Sequence, residues 1–361
     1  MTNPIDTPTA VRHGEELDTR RLRDWFAEQA PELDGEITVE QFPSGHSNLT
    51  YLLQIDGNEY VLRRPPFGAE KIAKGHDMSR EWRILSALDG HFDAIPRPIA
   101  YCDDPEVIGA SFYVMERVRG VILRSNNPDV SGLTEDSMRG LSEAFVDTLV
   151  AIHDIDYEAC GLGDFGRPEG YVERQIKGWT KRYHRARTDD IPAMEEAARW
   201  LAANMPEEVG ASVIHNDFKY DNFVLNPDDL TRVEAVLDWE MATIGDPLMD
   251  LGTSLAYWVE PDDPTVFHAL DFGPTALAGN YTRRQLVERY CDKAGLPPEN
   301  IVFYYVYGLF KVAVIGQQIY FRYTEGDTDD PRFAMLIDAV RALSKRAVEA
   351  IGRRSISAGS S

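Results

Sequence analysis

Cysteine, basic charge and long apolar runs are all scarce in this chain, and each shortage excludes something. The 361 residues include only Cys102, Cys160 and Cys291. They are odd in number, far apart and without C-x-x-C spacing, which argues against a disulfide framework or a zinc site and fits a reducing cytoplasm. Lys and Arg number 37 against 60 Asp and Glu, for a formal net charge of −23. Such a chain lacks the general basic footprint of a nucleic-acid binder or of a protein held on an anionic membrane, although a local basic pocket is still compatible. Histidines other than His215 (13, 46, 76, 91, 153, 184 and 268) show no metal-ligand spacing. The start, "MTNPIDTPTAVRHGEELD", has no apolar core and does not read as a signal peptide. The most apolar stretch, "VFYYVYGLFKVAVIGQQIYF" at 302–321, carries Lys311, Gln317 and Gln318. A lysine at mid-span is costly in lipid, so the stretch is expected to be a buried helix of a soluble protein.

What is present suffices for a sizeable core: hydrophobic residues make up 43%, enough for one large or two modest domains. After a polar lead and a short amphipathic helix around Leu22, Trp25 and Phe26, residues 36–118 read as a small β-rich unit. "ITVEQF", "LTYLLQI" and "EYVLRR" are rich in β-formers, and Asp56–Asn58 signals a hairpin turn. "DMSREWRILSALDG" has helical spacing and "ASFYVMERV" is a further strand. Residues 119–352 turn mainly helical, with helices expected near 137–155, 281–295, 299–323 and 331–352. The end, 353–361, reads as a disordered tail. The fold class is α+β, with a boundary near Val118–Gly120 and a ligand cleft between the two parts.

One segment concentrates the chemistry: "VIHNDFKYDNFVLNPDDLTRVEAVLDWE", 213–240. Asp217 follows one apolar strand, Asn222 precedes "FVL", and Asp238 ends "VEAVLD". A hairpin-like pair of strands brings Asn222 and Asp238 together with Asp217 facing them. Mg²⁺ takes oxygen ligands and few dedicated protein groups, with phosphates and water supplying the rest. Asn222 and Asp238 suit it, and Asp217 is then free to accept a proton from an attacking hydroxyl. Lys219 is placed to reach a transferring phosphoryl group. Phosphoryl transfer needs this kit, because its catalysis is mostly positioning and charge neutralisation. A metal hydrolase on His215, Asp217 and Asp238 is the competing enzyme reading, but such sites recruit more histidines.

His215-x-Asp217-x-x-x-x-Asn222 followed by Asp238 resembles the catalytic loop and metal aspartate of the protein-kinase-like fold. The "HND" and "LDWE" forms resemble its aminoglycoside phosphotransferase and choline kinase branch. "SGHSNLTYLL", "YVLRRPP", "REWRIL", "YVERQIKGWTKRY" and "VLDWEMATIGDPLMDLG" are similar to the phosphotransferase-type domain fused to some acyl-CoA dehydrogenases. The resemblance covers roughly 38–325 and implies two lobes, ATP and Mg²⁺, and a small-molecule hydroxyl acceptor. It places a phosphate-covering turn at Ser44, Gly45 and Ser47, and puts Arg63 where the family has a lysine, paired with Glu81. The adenine edge falls to the Glu116 C=O and the Val118 N–H. The resemblance makes His215 structural and Asp250 a brace for the catalytic loop; read from their own positions, Asp246 is a helix cap and Glu240, two residues beyond Asp238, an auxiliary metal ligand.

Arg63 also leaves room for a module that binds nucleotide without turnover, a pseudokinase. No A-P-E-like end follows Asp238, which sets protein phosphorylation behind small-molecule phosphorylation. The acceptor stays open between aminoglycosides and hydroxyacyl-CoA-type metabolites. "ERQIKGWTKRYHRAR", 173–187, is basic in an acidic chain. If helical, Arg174, Lys177, Lys181 and Arg185 form one stripe, either a solvated face or a docking surface for an anionic substrate.

Overall fold

The computed structural model describes residues 6–43, 48–67, 77–124, 133–270, 272–328 and 330–357. The first part of the chain is organised by strand alternation. β1 (Ile37–Gln41), β2 (Leu49–Ile55), β3 (Asn58–Arg64), β4 (Pro98–Cys102) and β5 (Phe112–Glu116) form an antiparallel sheet in the order β1-β2-β3-β5-β4. Asp56 and Gly57 link β2 to β3 at φ 49° and 84°, the conformation that Asp-Gly supplies in a two-residue hairpin. Successive side chains point to opposite faces. Tyr51, Leu53, Leu62 and Val114 therefore pack on Leu22 and Phe26 of α1 (Thr19–Gln29). Leu52, Val61 and Met115 join α2 (Met78–Leu88) in the larger core. The same alternation sends Arg63 to the α2 face and Arg64 to the other, where its Nη1 donates to the Ile108 carbonyl at 2.7 Å. The sequence pattern missed β4 and the one-turn α3 (Pro105–Ile108). β4 begins at proline and lies at the sheet edge, where a missing N–H is tolerated.

Gly120 marks the crossing into the second part. A side chain there would collide with the Leu225 carbonyl, and the neighbouring Val121 bridges to Leu225. The helices that follow are α4 (Glu135–His153), α5 (Tyr171–Ala186), α6 (Pro192–Ala203), α7 (Pro247–Tyr257), α8 (Thr265–His268), α9 (Arg283–Ala294), α10 (Ile301–Thr324) and α11 (Leu336–Arg353). α10 is the apolar stretch singled out in the sequence, and no described helix is long and apolar enough to cross a membrane. It packs on α7 through Gly308 against Gly252, where a Cβ on either residue would overlap the other helix's backbone. That close crossing seats Asp250 and Lys311 side by side beneath one loop.

Two small strand pairs support that loop. β6 (Ser212–Ile214) pairs with β9 (Thr243–Gly245), and β7 (Phe223–Leu225) with β8 (Val233–Val236). "SVIH" and "VEAVLD" thus do not pair with each other. The hairpin that joins Asn222 to Asp238 is β7–β8, with the Leu237 N–H donating to the Asn222 carbonyl at 2.7 Å. The end of the chain also differs from expectation. Ile356 is buried and its carbonyl accepts from Arg346, so the segment read as disordered is packed as far as 357. An apolar side chain with a buried donor beside it holds it down.

Candidate active site

The loop after β6 is held from below. Asp250, fully buried on α7, accepts the backbone N–H groups of His215 and Asn216, both at 2.7 Å. His153 on α4 contacts the same carboxylate at 3.2 Å. Burial pushes the Asp250 carboxyl up, but these donors outweigh it and hold it below the usual carboxylate range. Asp246 caps α7 by accepting from Leu248 N–H at 2.9 Å. His215 donates Nε2–H to the Leu237 carbonyl at 2.9 Å, and its Nδ1 accepts from Asp217 N–H at 3.3 Å. Burial lowers its pKa. A neutral imidazole therefore ties the loop to the strand end before Asp238 and is left with no proton-transfer partner of its own.

Asp217 has a side chain 16% exposed, with Oδ2 3.3 Å from Lys219 Nζ. Asn222 Nδ2 donates to the Asp217 carbonyl at 2.8 Å and to Oδ2 at 3.2 Å, leaving the Asn222 Oδ1 as an oxygen donor. Burial raises the Asp217 pKa, yet the Lys219 ammonium and a Tyr257 hydrogen bond contribute to holding it below the ordinary value. Asp238 sits at φ 67°, ψ 59°, a left-handed conformation that aspartate tolerates. Arg63 bridges the two parts of the chain: Nη1 pairs with Glu81 of α2, and Nη2 lies 3.3 Å from Asp238 Oδ1. Burial pushes the Glu81 carboxyl up to about 6 against the pull of Arg63.

Arg63, Glu81, Asn222 and Asp238 line one cleft between the sheet and the helical part, and Glu116 and Val118 line it too. The Glu116 N–H is committed to the Arg97 carbonyl. Apolar side chains above (Val61, Met115) and below (Ile122, Val224) make a slot suited to a flat ring. Ser44, Gly45 and Ser47 lie outside the described residues. Glu240 sits over Asp238 and accepts from Asn48 at 3.0 Å; burial and the Asp238 charge push it up to about 7. Among the described residues no group of three or more His, Cys, Asp or Glu is arranged to hold a metal ion. Two hard oxygen donors at the cleft floor, Asn222 and Asp238, fit Mg²⁺, which retains water and phosphate ligands.

A family model described as "Phosphotransferase enzyme family" matches residues 38–287. The chain belongs to this family. It is 36% identical over 332 residues to acyl-CoA dehydrogenase family member 11 of Gallus gallus, covering 90% of this chain and 41% of that one. It is 35% identical over 294 residues to family member 10 of Mus musculus, covering 81% and 27%. The chain thus spans well under half the length of these curated relatives. Among solved structures, a putative aminoglycoside phosphotransferase from Ralstonia eutropha superposes with a TM-score of 0.80 at 32% identity, covering 94% of this chain and 99% of that one. The GDP complex of an aminoglycoside 2′-phosphotransferase, at 14% identity and a TM-score of 0.60, shares the fold. The resemblance read from the "HND" and "LDWE" segments, and the α+β kinase-like fold it implied, are therefore correct.

This phosphotransferase has a residue at its loop that motif reading passed over. Lys311, 1% exposed in the middle of α10, donates to the Asn216 carbonyl at 2.7 Å and to its Oδ1 at 3.1 Å. It thereby holds Asn216, next to Asp217, at φ 67°. The signal was in the sequence: a lysine inside an apolar helix must find buried acceptors. Burial drops its pKa to about 8. The unfolded lysine keeps its proton up to 10.5, so between these values the unfolded chain binds more protons and stability rises with pH. At neutral pH the buried charge costs roughly 3 kcal/mol. Lys311→Met removes that cost but leaves two acceptors without a donor, a loss of similar size at about 1–3 kcal/mol. The variant is expected to melt within about 2 °C of wild type at pH 7. It should also lose the rise in stability above pH 8, and transfer phosphate about tenfold more slowly because Asn216 is released. Melting curves across pH and a turnover assay check all three.

The basic stretch is α5, as its spacing predicts, and its stripe lies on the exposed face. Tyr171, Trp179 and Tyr183 are buried, while Lys177, Lys181 and Arg185 are exposed. Lys177 pairs with Glu173 one turn away. The aromatic face decided the orientation, because burying three rings outweighs placing any surface charge. Of the stripe, Arg174 borders a cavity next to the catalytic loop.

Proposed function

We propose that this chain is an ATP- and Mg²⁺-dependent kinase that transfers the γ-phosphoryl group to a hydroxyl of a small molecule. The observation that carries the reading is the convergence of Asp217, Lys219, Asn222, Asp238 and Arg63 at the junction of the two parts, with a flat apolar slot leading away from it. In this reading the slot takes the adenine and Arg63 binds phosphate while keeping the buried Glu81 compensated. Asn222 and Asp238 hold Mg²⁺, which when bound neutralises phosphate oxygens. Asp217, kept ionised, orients the acceptor hydroxyl and receives its proton, and Lys219 meets the developing charge. The curated relatives are named for acyl-CoA, which favours testing a hydroxyl-bearing acyl-CoA as acceptor, and the Ralstonia protein's name favours testing an aminoglycoside. Arg63 at the lysine position favours the second reading, nucleotide binding without turnover.

The deciding experiment is ADP release from ATP with Mg²⁺, across a panel holding hydroxyacyl-CoAs, free hydroxy acids and aminoglycosides. The kinase reading expects acceptor-dependent release well above the water-hydrolysis background. Nucleotide binding with no acceptor-dependent release from any member would support the pseudokinase instead.

A further inference from the structure

A second, solvent-open cavity adjoins the catalytic loop. Trp239 lines the cleft and Met241, two residues on, lines this cavity, so a single helical turn separates them. Asn216, the residue before Asp217, forms part of its wall. Its charged lining is of one sign: Arg167, Arg174, Arg182 and Lys311. In a chain of net charge −23 this is unexpected, and the cleft itself is lined by acids and bases together. Among the described residues none of these four cations makes a salt bridge, although salt bridges occupy most other arginines described. Arg182 stacks over the Trp179 ring at 4.4 Å, and Arg174 donates to the carbonyls of Glu169 and Arg167. Neither contact neutralises charge. Lys311, buried at the back, keeps its ammonium toward Asn216 at the cavity wall. The Asp250 and Asp217 charges favour the Lys311 ammonium, whereas the three arginines pair with no described carboxylate, repel each other across one space and are stabilised together by an anion.

We propose that this cavity is an oxyanion subsite for the acceptor, so that the molecule phosphorylated carries a carboxylate or phosphate group as well as its hydroxyl. The inference rests on the kinase reading above for the word acceptor, but the anion site stands on the cavity alone. Guanidinium groups bind either oxyanion through paired N–H donors. The Trp179 and Tyr171 rings beside them give the adjoining part of the acceptor an apolar wall. A cationic aminoglycoside does not fit such a lining.

The test uses the whole chain, two double variants and two probes. Arg167→Gln with Arg182→Gln removes two exposed cations of the cavity. Lys181→Gln with Arg185→Gln removes the same charge from the outer face of α5. Pyrophosphate and succinate are titrated calorimetrically into metal-free protein saturated with ADP, which fills the cleft, and ADP affinity is measured first for each protein. Wild type is expected to bind at least one probe, and which one tells phosphate from carboxylate. Binding should weaken about tenfold or more in the Arg167/Arg182 variant, stay within about twofold in the Lys181/Arg185 variant, and fade with added salt. ADP affinity should be equal in all three. No binding of either probe by wild type, or equal weakening in both variants, overturns the site. With an acceptor from the ADP-release panel, the Arg167/Arg182 variant should raise the acceptor KM about tenfold and leave the ATP KM and kcat within about twofold. An unchanged acceptor KM beside weakened probe binding overturns the acceptor assignment. Probe binding with no turnover on any acceptor would count against the kinase reading and leave the anion site standing.

Discussion

Asp217→Asn is expected to lower kcat about a thousandfold, within the usual range for losing a positioned base, while nucleotide affinity stays within about threefold. The substitution keeps the shape and the acceptor oxygen that meets Asn222, but removes the charge. Asp217 lies outside the cleft lining, so ADP and ATP should bind nearly as before. Lys219 loses the carboxylate 3.3 Å from its ammonium and is left partly buried against the Tyr257 ring, so a modest fall in melting temperature should accompany the loss of rate. Steady-state kinetics and nucleotide titration on the same preparation separate the effects. Turnover within tenfold of wild type would place the chemistry elsewhere, because no other described carboxylate sits at this loop with both a lysine and Asn222 in contact.

The second large effect concerns the metal. Asp238→Ala should abolish the dependence of nucleotide affinity on Mg²⁺ and reduce turnover about a thousandfold. In wild type, Mg²⁺ should tighten ADP binding; in the variant, ADP affinity with and without Mg²⁺ should agree within about twofold. Two structural consequences have to be separated from this. The residue sits at φ 67°, where alanine is disfavoured by roughly 1 kcal/mol, and Arg63 loses its 3.3 Å contact. Asp238→Asn is the control, since asparagine tolerates the left-handed conformation and still offers an oxygen to Arg63. Both variants should lose Mg²⁺ dependence while only the alanine variant loses noticeable stability. If the asparagine variant retains full Mg²⁺-dependent tightening, Asp238 is not a metal ligand.

Local pattern alone determined a good deal of this protein. Alternation in "YVLRR" put Arg63 and Arg64 on opposite faces, and Asp-Gly fixed the hairpin before it. The order of a β-rich unit followed by a helical one, and the spacing of His215, Asp217, Asn222 and Asp238, were all legible, because strand period, turn chemistry and motif spacing are properties of neighbouring residues. Partners distant in the chain were not. Arg63 meets Asp238 across 175 positions, and Lys311 meets Asn216 across 95. The buried lysine announced that it needed acceptors without saying which. Its acceptors were chosen by the contact of Gly308 with Gly252, which sets how α10 lies on α7. The basic helix shows the same division. Spacing correctly grouped Arg174, Lys177, Lys181 and Arg185 on one stripe, but a helix turns its face according to the apolar area it can bury. Three aromatic rings sent that stripe to solvent. The cationic cavity instead gathers Arg167 and Arg174, Arg182 and Lys311 from a loop and two helices, a grouping that exists only once those helices are packed.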